Sequence, residues 1–362
     1  MPPASPLWPG VPLALLSAAL FGASTPLAKM LLGDGLNPFV LAGLLYLGSG
    51  IGLASLSAAR RVSGGVAAEA PLRRADMPWL LLVVLSGGAA APALLMLGLA
   101  TTPAASASLL LNLEGLATMA IAWLVFRENV DRRLLLGAAA ILAGAVVLSW
   151  QEGPGGIGWG AVAIAGACLF WGIDNNLTRR LSAADPVQIA MIKGLAAGSM
   201  NIALGLGLGA GLPAATALGA AALLGFVGYG VSLVLFILAL RHLGTARTGA
   251  YFSTAPFIGA VLAVALLGEA VTGQLLAAGL LMAIGLYLHL AERHDHEHAH
   301  EALDHEHRHR HDEHHQHAHL PGDPPGEPHT HRHRHAPIVH KHPHYPDLHH
   351  RHPHPRGQAG AH

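Results

Sequence analysis

Three ionisable residues stand inside long apolar stretches of this 362-residue chain, and they carry its first hint of chemistry. Glu114 lies in Asn112-Leu113-Glu114-Gly115, Asp174 in Ile173-Asp174-Asn175-Asn176, and Lys193 in Ile192-Lys193-Gly194. A charge held in hydrocarbon is costly, so such residues face a cavity, a pathway or one another. Glu114 has no cation near it in its own segment and could take up and release a proton. Asp174 and Lys193 could pair, and the plainer reading of that pair is a tie between two helices. Asn112 and Asn175 add amide groups able to bind a solute or coupling ion. Asn112 is two residues from Glu114, however, and i, i+2 residues point to different helix faces.

A second kind of chemistry occupies residues 292–362, which hold 24 of the 26 histidines. His294, His296, His298 and His300 alternate with Asp, Glu and Ala; His305, His307, His309 and His311 follow, then His329, His331, His333 and His335. Neutral imidazole ligates Zn, Ni, Co and Cu, and the interleaved carboxylates can complete a coordination shell. So many interchangeable ligands imply several labile divalent-metal sites rather than one fixed finger, and no cofactor is required elsewhere. The plainer reading is a low-complexity tract with no metal role. With Pro and Gly throughout, the tail cannot build a core and is expected to be disordered.

Long apolar elements must position the first set of residues. Only 12% of the chain is charged, against about 25% in a typical soluble domain, and 52% is hydrophobic. About 20 apolar residues span a bilayer core of about 30 Å. The expected spans are 12–31, 38–58, 77–99, 103–126, 133–150, 157–181, 186–209, 216–240, 246–267 and 272–291. The gaps after the second, fourth, sixth and eighth hold Arg60, Arg61, Arg73, Arg74, Arg127, Arg132, Arg133, Arg179, Arg180, Arg241 and Arg247. The alternate gaps are nearly free of Lys and Arg, with Lys29 the exception. Basic loops stay in the cytoplasm, so both termini are expected there, in a multi-pass protein of the cytoplasmic membrane. Asp174 and Lys193 then sit about 10 Å deep at 1.5 Å per residue. Cys168 is the single cysteine, which excludes an intrachain disulfide and a CxxC site.

The spans repeat. Leu20-Phe21-Gly22 through Lys29 corresponds to Phe170-Trp171-Gly172 through Arg179, and Asn37-Pro38 to Asp185-Pro186. Phe126-Arg127-Glu128 corresponds to Leu267-Gly268-Glu269, and Gly144 to Gly285. The units are 1–150 and 151–291, followed by the tail at 292–362. Five spans per unit is an odd number, so the second unit is inverted, a recurring plan of secondary transporters. The correspondence sets Ala255 against Glu114, Ser24 against Asp174 and Leu45 against Lys193. The fold therefore does not demand these charges, which favours a binding or coupling role. Glu128 and Glu269 end their spans beside loops, where capping or pairing with Arg is the expected role.

On the Phe-Gly and Trp-Gly pairs and the two helix-ending Glu residues, the chain resembles drug/metabolite transporter permeases with two EamA-type repeats. The resemblance covers residues 12–291 and implies a ten-helix fold that moves small metabolites, without naming one. Family members often carry an Arg early in spans two and seven, where this chain has Leu45 or Tyr46 and Lys193.

The fold class expected is all-α: ten transmembrane helices in two inverted five-helix repeats, plus the tail. The function expected is secondary transport, ion- or proton-coupled, of a small metabolite or ion. One alternative is a divalent-metal transporter with the tail as collector or sensor, and a second is a membrane-anchored metal buffer. An enzyme is not expected, since there is no nucleotide loop and no HExxH. The expected partners are the solute and the lipid bilayer; a homodimer is compatible with the sequence, and nothing points to nucleic acid.

Overall fold

The computed structural model describes residues 10–62, 72–126, 132–150, 157–181, 185–243, 245–290, 295–300, 304–309, 329–334 and 338–343. Ahead of the tail these residues are helical. The helices are α1 (Gly10–Gly33), α2 (Pro38–Val62), α3 (Met77–Val83), α4 (Ala91–Thr101), α5 (Ala104–Leu110), α6 (Leu113–Phe126) and α7 (Arg132–Ser149). They continue with α8 (Trp159–Leu181), α9 (Pro186–Gly207), α10 (Ala215–Gly225), α11 (Ser232–Leu243), α12 (Thr245–Phe252), α13 (Ala255–Leu267) and α14 (Gly273–Leu290). A π-helical segment, Val84–Ala90, joins α3 to α4, and a second, Phe226–Val231, joins α10 to α11.

The sequence repeat has a local physical meaning. At the start of α2 the Asn37 side chain accepts the amide of Phe39 at 2.9 Å, with Pro38 as the first helical residue. At the start of α9 the Asp185 carboxylate accepts the amide of Val187 at 2.8 Å, with Pro186 first. Each cap satisfies an amide that the first helical turn leaves unpaired, and Pro has no such amide to lose. The packing repeats as well. α2 lies against α9 and α7 against α14, while α1 contacts α11 and α13 as α8 contacts α4 and α6. Exchanging the two parts of the chain turns each of these pairings into its counterpart.

Glycines set the close crossings. A Cβ on Gly198 of α9 would lie 2.5 Å from the Leu47 amide of α2, and one on Gly43 would lie 2.8 Å from the Gly198 carbonyl. Gly137 and Gly285 make the same approach between α7 and α14. Small residues let helix backbones touch where lipid supplies no hydrophobic drive for association. Leu41, Leu45, Leu95, Met96, Leu99, Leu110, Ile164 and Met282 fill the core between these crossings, while Leu81, Leu124, Leu136, Val261 and Leu280 face outward.

Among the described residues, seven helices are long and apolar enough to cross a membrane: Gly10–Gly33, Pro38–Arg60, Arg74–Thr101, Ala104–Val125, Arg132–Ser149, Val187–Gly207 and Ala215–Ala239. The sequence suggested ten. Within α8 the run Asp174-Asn175-Asn176 and the following arginines dilute the apolar content. The ninth expected stretch is divided by a turn at Ser253–Thr254, leaving Ala255–Leu267, and Gly273–His289 is also short.

The tail differs from the expected disorder where it is described. β1 (Asp295–His300) pairs antiparallel with β4 (Ile338–Pro343), and β2 (Asp304–His309) with β3 (His329–Arg334). Alternation of His with a second residue has the two-residue period of a strand, which explains extended backbone here.

Candidate functional site

The π segment between α3 and α4 organises the site. A π turn interrupts the regular helical hydrogen-bond ladder, and here two of its carbonyls accept side chains from other helices. The Gly87 carbonyl accepts the Tyr46 hydroxyl at 2.8 Å and the Trp171 indole N–H at 3.1 Å. The Ala89 carbonyl accepts the Asn201 amide at 3.1 Å. Three side chains, from α2, α8 and α9, thus converge on one irregular turn.

Two glycines of that turn leave a slot for charge. A Cβ on Gly87 would overlap the Asp174 carboxylate, and one on Gly88 would lie 3.1 Å from Lys193 Cγ. In the slot Lys193 Nζ donates to Asp174 Oδ2 at 2.5 Å, an ion pair between α8 and α9. Asp174 is buried, and Lys193 is only partly exposed. The Asp174–Lys193 contact that the sequence allowed is formed. In the first part of the chain the position of Asp174 is held by Ser24, whose hydroxyl donates to its own helix at the Phe21 carbonyl, 2.6 Å away.

The next residue of α8 faces α6. Asn175 donates to Glu114 Oε1 at 3.0 Å and to the Thr118 hydroxyl at 3.1 Å. Glu114 sits in the first turn of α6, just after the break at Leu111–Asn112. The break is bridged by backbone hydrogen bonds, the amides of Asn112 and Glu114 donating to the carbonyls of Leu109 and Leu111, each at 3.1 Å. Glu114 is also within electrostatic reach of Asp174 and Lys193. One helix therefore links Asp174–Lys193 on one side to Asn175–Glu114 on the other. Asn176 completes the run, donating to the Thr118 and Gly172 carbonyls at 3.1 and 2.8 Å, while its buried Oδ1 has no partner among the described residues.

Asn112 is not part of this cluster. Its amide donates to the Leu109 carbonyl at 2.8 Å and lies 3.8 Å from Met282 of α14, so it closes the break rather than facing Glu114. An aromatic series borders the cluster: Tyr46 to Tyr229 at 5.6 Å, Tyr229 to Phe21 at 5.6 Å, and Phe21 to Phe252 at 5.4 Å between ring centroids.

Glu269 caps a helix, although not its own and not with Arg. Its carboxylate accepts the amides of Ala104 at 2.6 Å and Ala105 at 2.8 Å, at the start of α5. Lys29 holds the other side of the same turn, donating to the carbonyls of Leu99, Ala100 and Thr102 at 2.6, 3.2 and 3.0 Å. Glu128, His294, His311 and His335 lie outside the described residues, as do the side chains of His296, His298, His300, His305, His307, His309, His329, His331 and His333. Among the described residues, no group of three or more His, Cys, Asp or Glu side chains is placed to hold a metal ion.

The sequence reading missed Gly87, Gly88, Thr118, Asn176 and the anchoring roles of Tyr46 and Trp171. The Gly-Gly pair in an otherwise apolar stretch and the Asp-Asn-Asn run were the available signals.

Crossed apolar helices around an internal polar cluster define a polytopic membrane protein. The chain belongs to the EamA-like transporter family, whose model matches two repeats, residues 8–150 and 158–291. It is similar to an uncharacterized transporter of Methanothermobacter thermautotrophicus (strain Delta H), 29% identical over 296 residues, 76% of this chain and 84% of that relative. A solved crystal structure aligns with a TM-score of 0.56 at 22% identity, over 77% of this chain and 95% of the other, and so shares the fold. The protein is thus a transporter by family.

Proposed function

We propose that this chain is a secondary transporter of a small charged or polar solute, working by alternating access. Ten spans form two inverted five-span repeats, with both termini cytoplasmic. The three spans beyond the long seven are α8, the broken α12–α13 pair and α14. The exchange of packing partners between the two parts of the chain supports this architecture, and the arginine-rich connections support the orientation.

The observation that carries the site is the Asp174–Lys193 pair in its glycine slot, one residue along α8 from the Asn175–Glu114 bond. A solute with a charged group can displace one partner of the pair, with Asp174 or Lys193 taking the opposite charge. Glu114 is the coupling carboxylate, taking its proton from one side of the membrane and losing it to the other. The test is flux into proteoliposomes holding the purified chain, under an imposed pH gradient, across a panel of amino acids, organic cations and divalent metals. Gradient-dependent flux of one solute class that is lost in Asp174→Asn is expected. Undiminished flux in Asp174→Asn and Lys193→Ala would remove the site.

A second reading concerns the tail, which we propose binds labile divalent metal. The strand register supports it, with His296 opposite His342, His298 opposite His340, His305 opposite His333, His307 opposite His331 and His309 opposite His329. Calorimetric titration of the full chain with Zn or Ni tests it, and a stoichiometry unchanged by removal of the tail would exclude it.

A further inference from the structure

We infer that Lys29 and Glu269 form a two-sided clasp on the turn between α4 and α5, acting as the outer gate of the transporter. The inference rests on the alternating-access reading proposed above.

The clasp follows from what the turn lacks. Where α4 ends and α5 begins, the last carbonyls of one helix and the first amides of the next have no intrahelical partners. Lys29 supplies a cation to the carbonyls of Leu99, Ala100 and Thr102, and Glu269 supplies an anion to the amides of Ala104 and Ala105. Each charge sits at the end of a helix dipole that favours it. The two lie within electrostatic reach of each other across the turn.

Glu269 makes this a contact between repeats. It lies in the matched stretch 158–291, and the turn lies in 8–150. Gly268, with φ of 65°, ends α13 in a left-handed conformation and redirects the chain just before Glu269. That conformation is cheap for glycine and costly for other residues.

The side of the membrane follows from chain direction. Arg73 and Arg74 precede α3, and the chain crosses once, through α3, the π segment and α4, before reaching the turn. With the basic end cytoplasmic, the turn is at the outer surface.

Directly beneath the clasp, α1, α5 and α13 meet through small residues. A Cβ on Gly259 would lie 2.7 Å from the Gly22 carbonyl and 2.8 Å from Ser108 Oγ. Ser108 is buried, and its hydroxyl has no hydrogen-bond partner among the described residues. This layer is closely packed, but at Ser108 no directional bond holds it. The polar lock lies above it, at Lys29 and Glu269, which are both partly exposed. Charges near water regain hydration when released, so such a lock can open at modest cost.

The test follows labelling of a Ser108→Cys variant, in a Cys168→Ala background, by a membrane-impermeant maleimide added from outside to vesicles holding the full chain. With the clasp intact, labelling is slow. Lys29→Ala and Glu269→Ala each raise the rate about tenfold or more, the equilibrium worth of one lost charged hydrogen bond, while Lys29→Arg stays near the parent rate. Melting in detergent identifies variants that stay folded; if Glu269→Ala does not, Lys29→Ala decides. Unchanged labelling in a folded Lys29→Ala variant, or an equal rise with reagent on the cytoplasmic side, overturns the gate. Labelling needs no solute, so absence of flux for every solute tried would count against alternating access without altering this readout.

Discussion

The Asp174 carboxylate occupies the space that a side chain on Gly87 would need. Charge and glycine are therefore one feature. The π turn brings the backbone of one helix against the carboxylate of another, and a methyl group at Gly87 must push Asp174 off Lys193 or move α8. Gly87→Ala is expected to cost about 1–3 kcal/mol, the usual range for overpacking, and to reduce flux sharply. Gly219→Ala, where nothing lies within 4 Å of an added Cβ, is the control and should leave both unchanged or slightly improved. Melting in detergent and proteoliposome flux measure the two effects.

Breaking the ion pair from one side strands a buried charge. Asp174→Asn or Lys193→Met should each cost about 3–5 kcal/mol, whereas the double variant Asp174→Leu with Lys193→Met should recover most of the loss. Flux should stay absent in the double variant. If transport returned along with stability, the pair would be only a tie between α8 and α9.

Glu114 is expected to matter for coupling more than for folding. Glu114→Gln keeps an oxygen for the Asn175 amide, 3.0 Å away in the native chain, but cannot ionise. Solute exchange with no gradient should continue, and the response to an imposed pH gradient should vanish. A variant that still concentrates solute on a pH gradient would assign the proton to another group.

Truncation after residue 291 should leave flux intact and abolish binding of Zn and Ni by calorimetry. Loss of transport with a normal melting temperature would instead tie the tail to the transport cycle.

Much of the fold was legible because its causes are local. Apolar length marked most of the elements, and the Asn37-Pro38 and Asp185-Pro186 caps marked equivalent helix starts. The breaks were less legible. The turn at Ser253–Thr254 and the π segments at Val84–Ala90 and Phe226–Val231 leave little trace in hydropathy, since an interrupted helix can be as apolar as a continuous one. In the site, similar depth along antiparallel helices was enough to suggest that Asp174 and Lys193 meet. It could not suggest that Asn175 binds Glu114, because those residues are 61 positions apart on helices with no shared connection.

By itself the sequence determined which residues are charged, which apolar segments carry them and that the chain repeats, because these depend only on composition and order along the chain. The tertiary structure alone decided who meets whom. Helical periodicity sets the face a side chain occupies, but the partner on that face depends on how two helices cross. Those crossings are set by glycine contacts such as Gly43 with Gly198, made across the fold. So Gly87 became the floor beneath Asp174, and Asn112 turned away from Glu114. Lys29 and Glu269, which the sequence marks only as separate helix-end charges, close on the two ends of one turn.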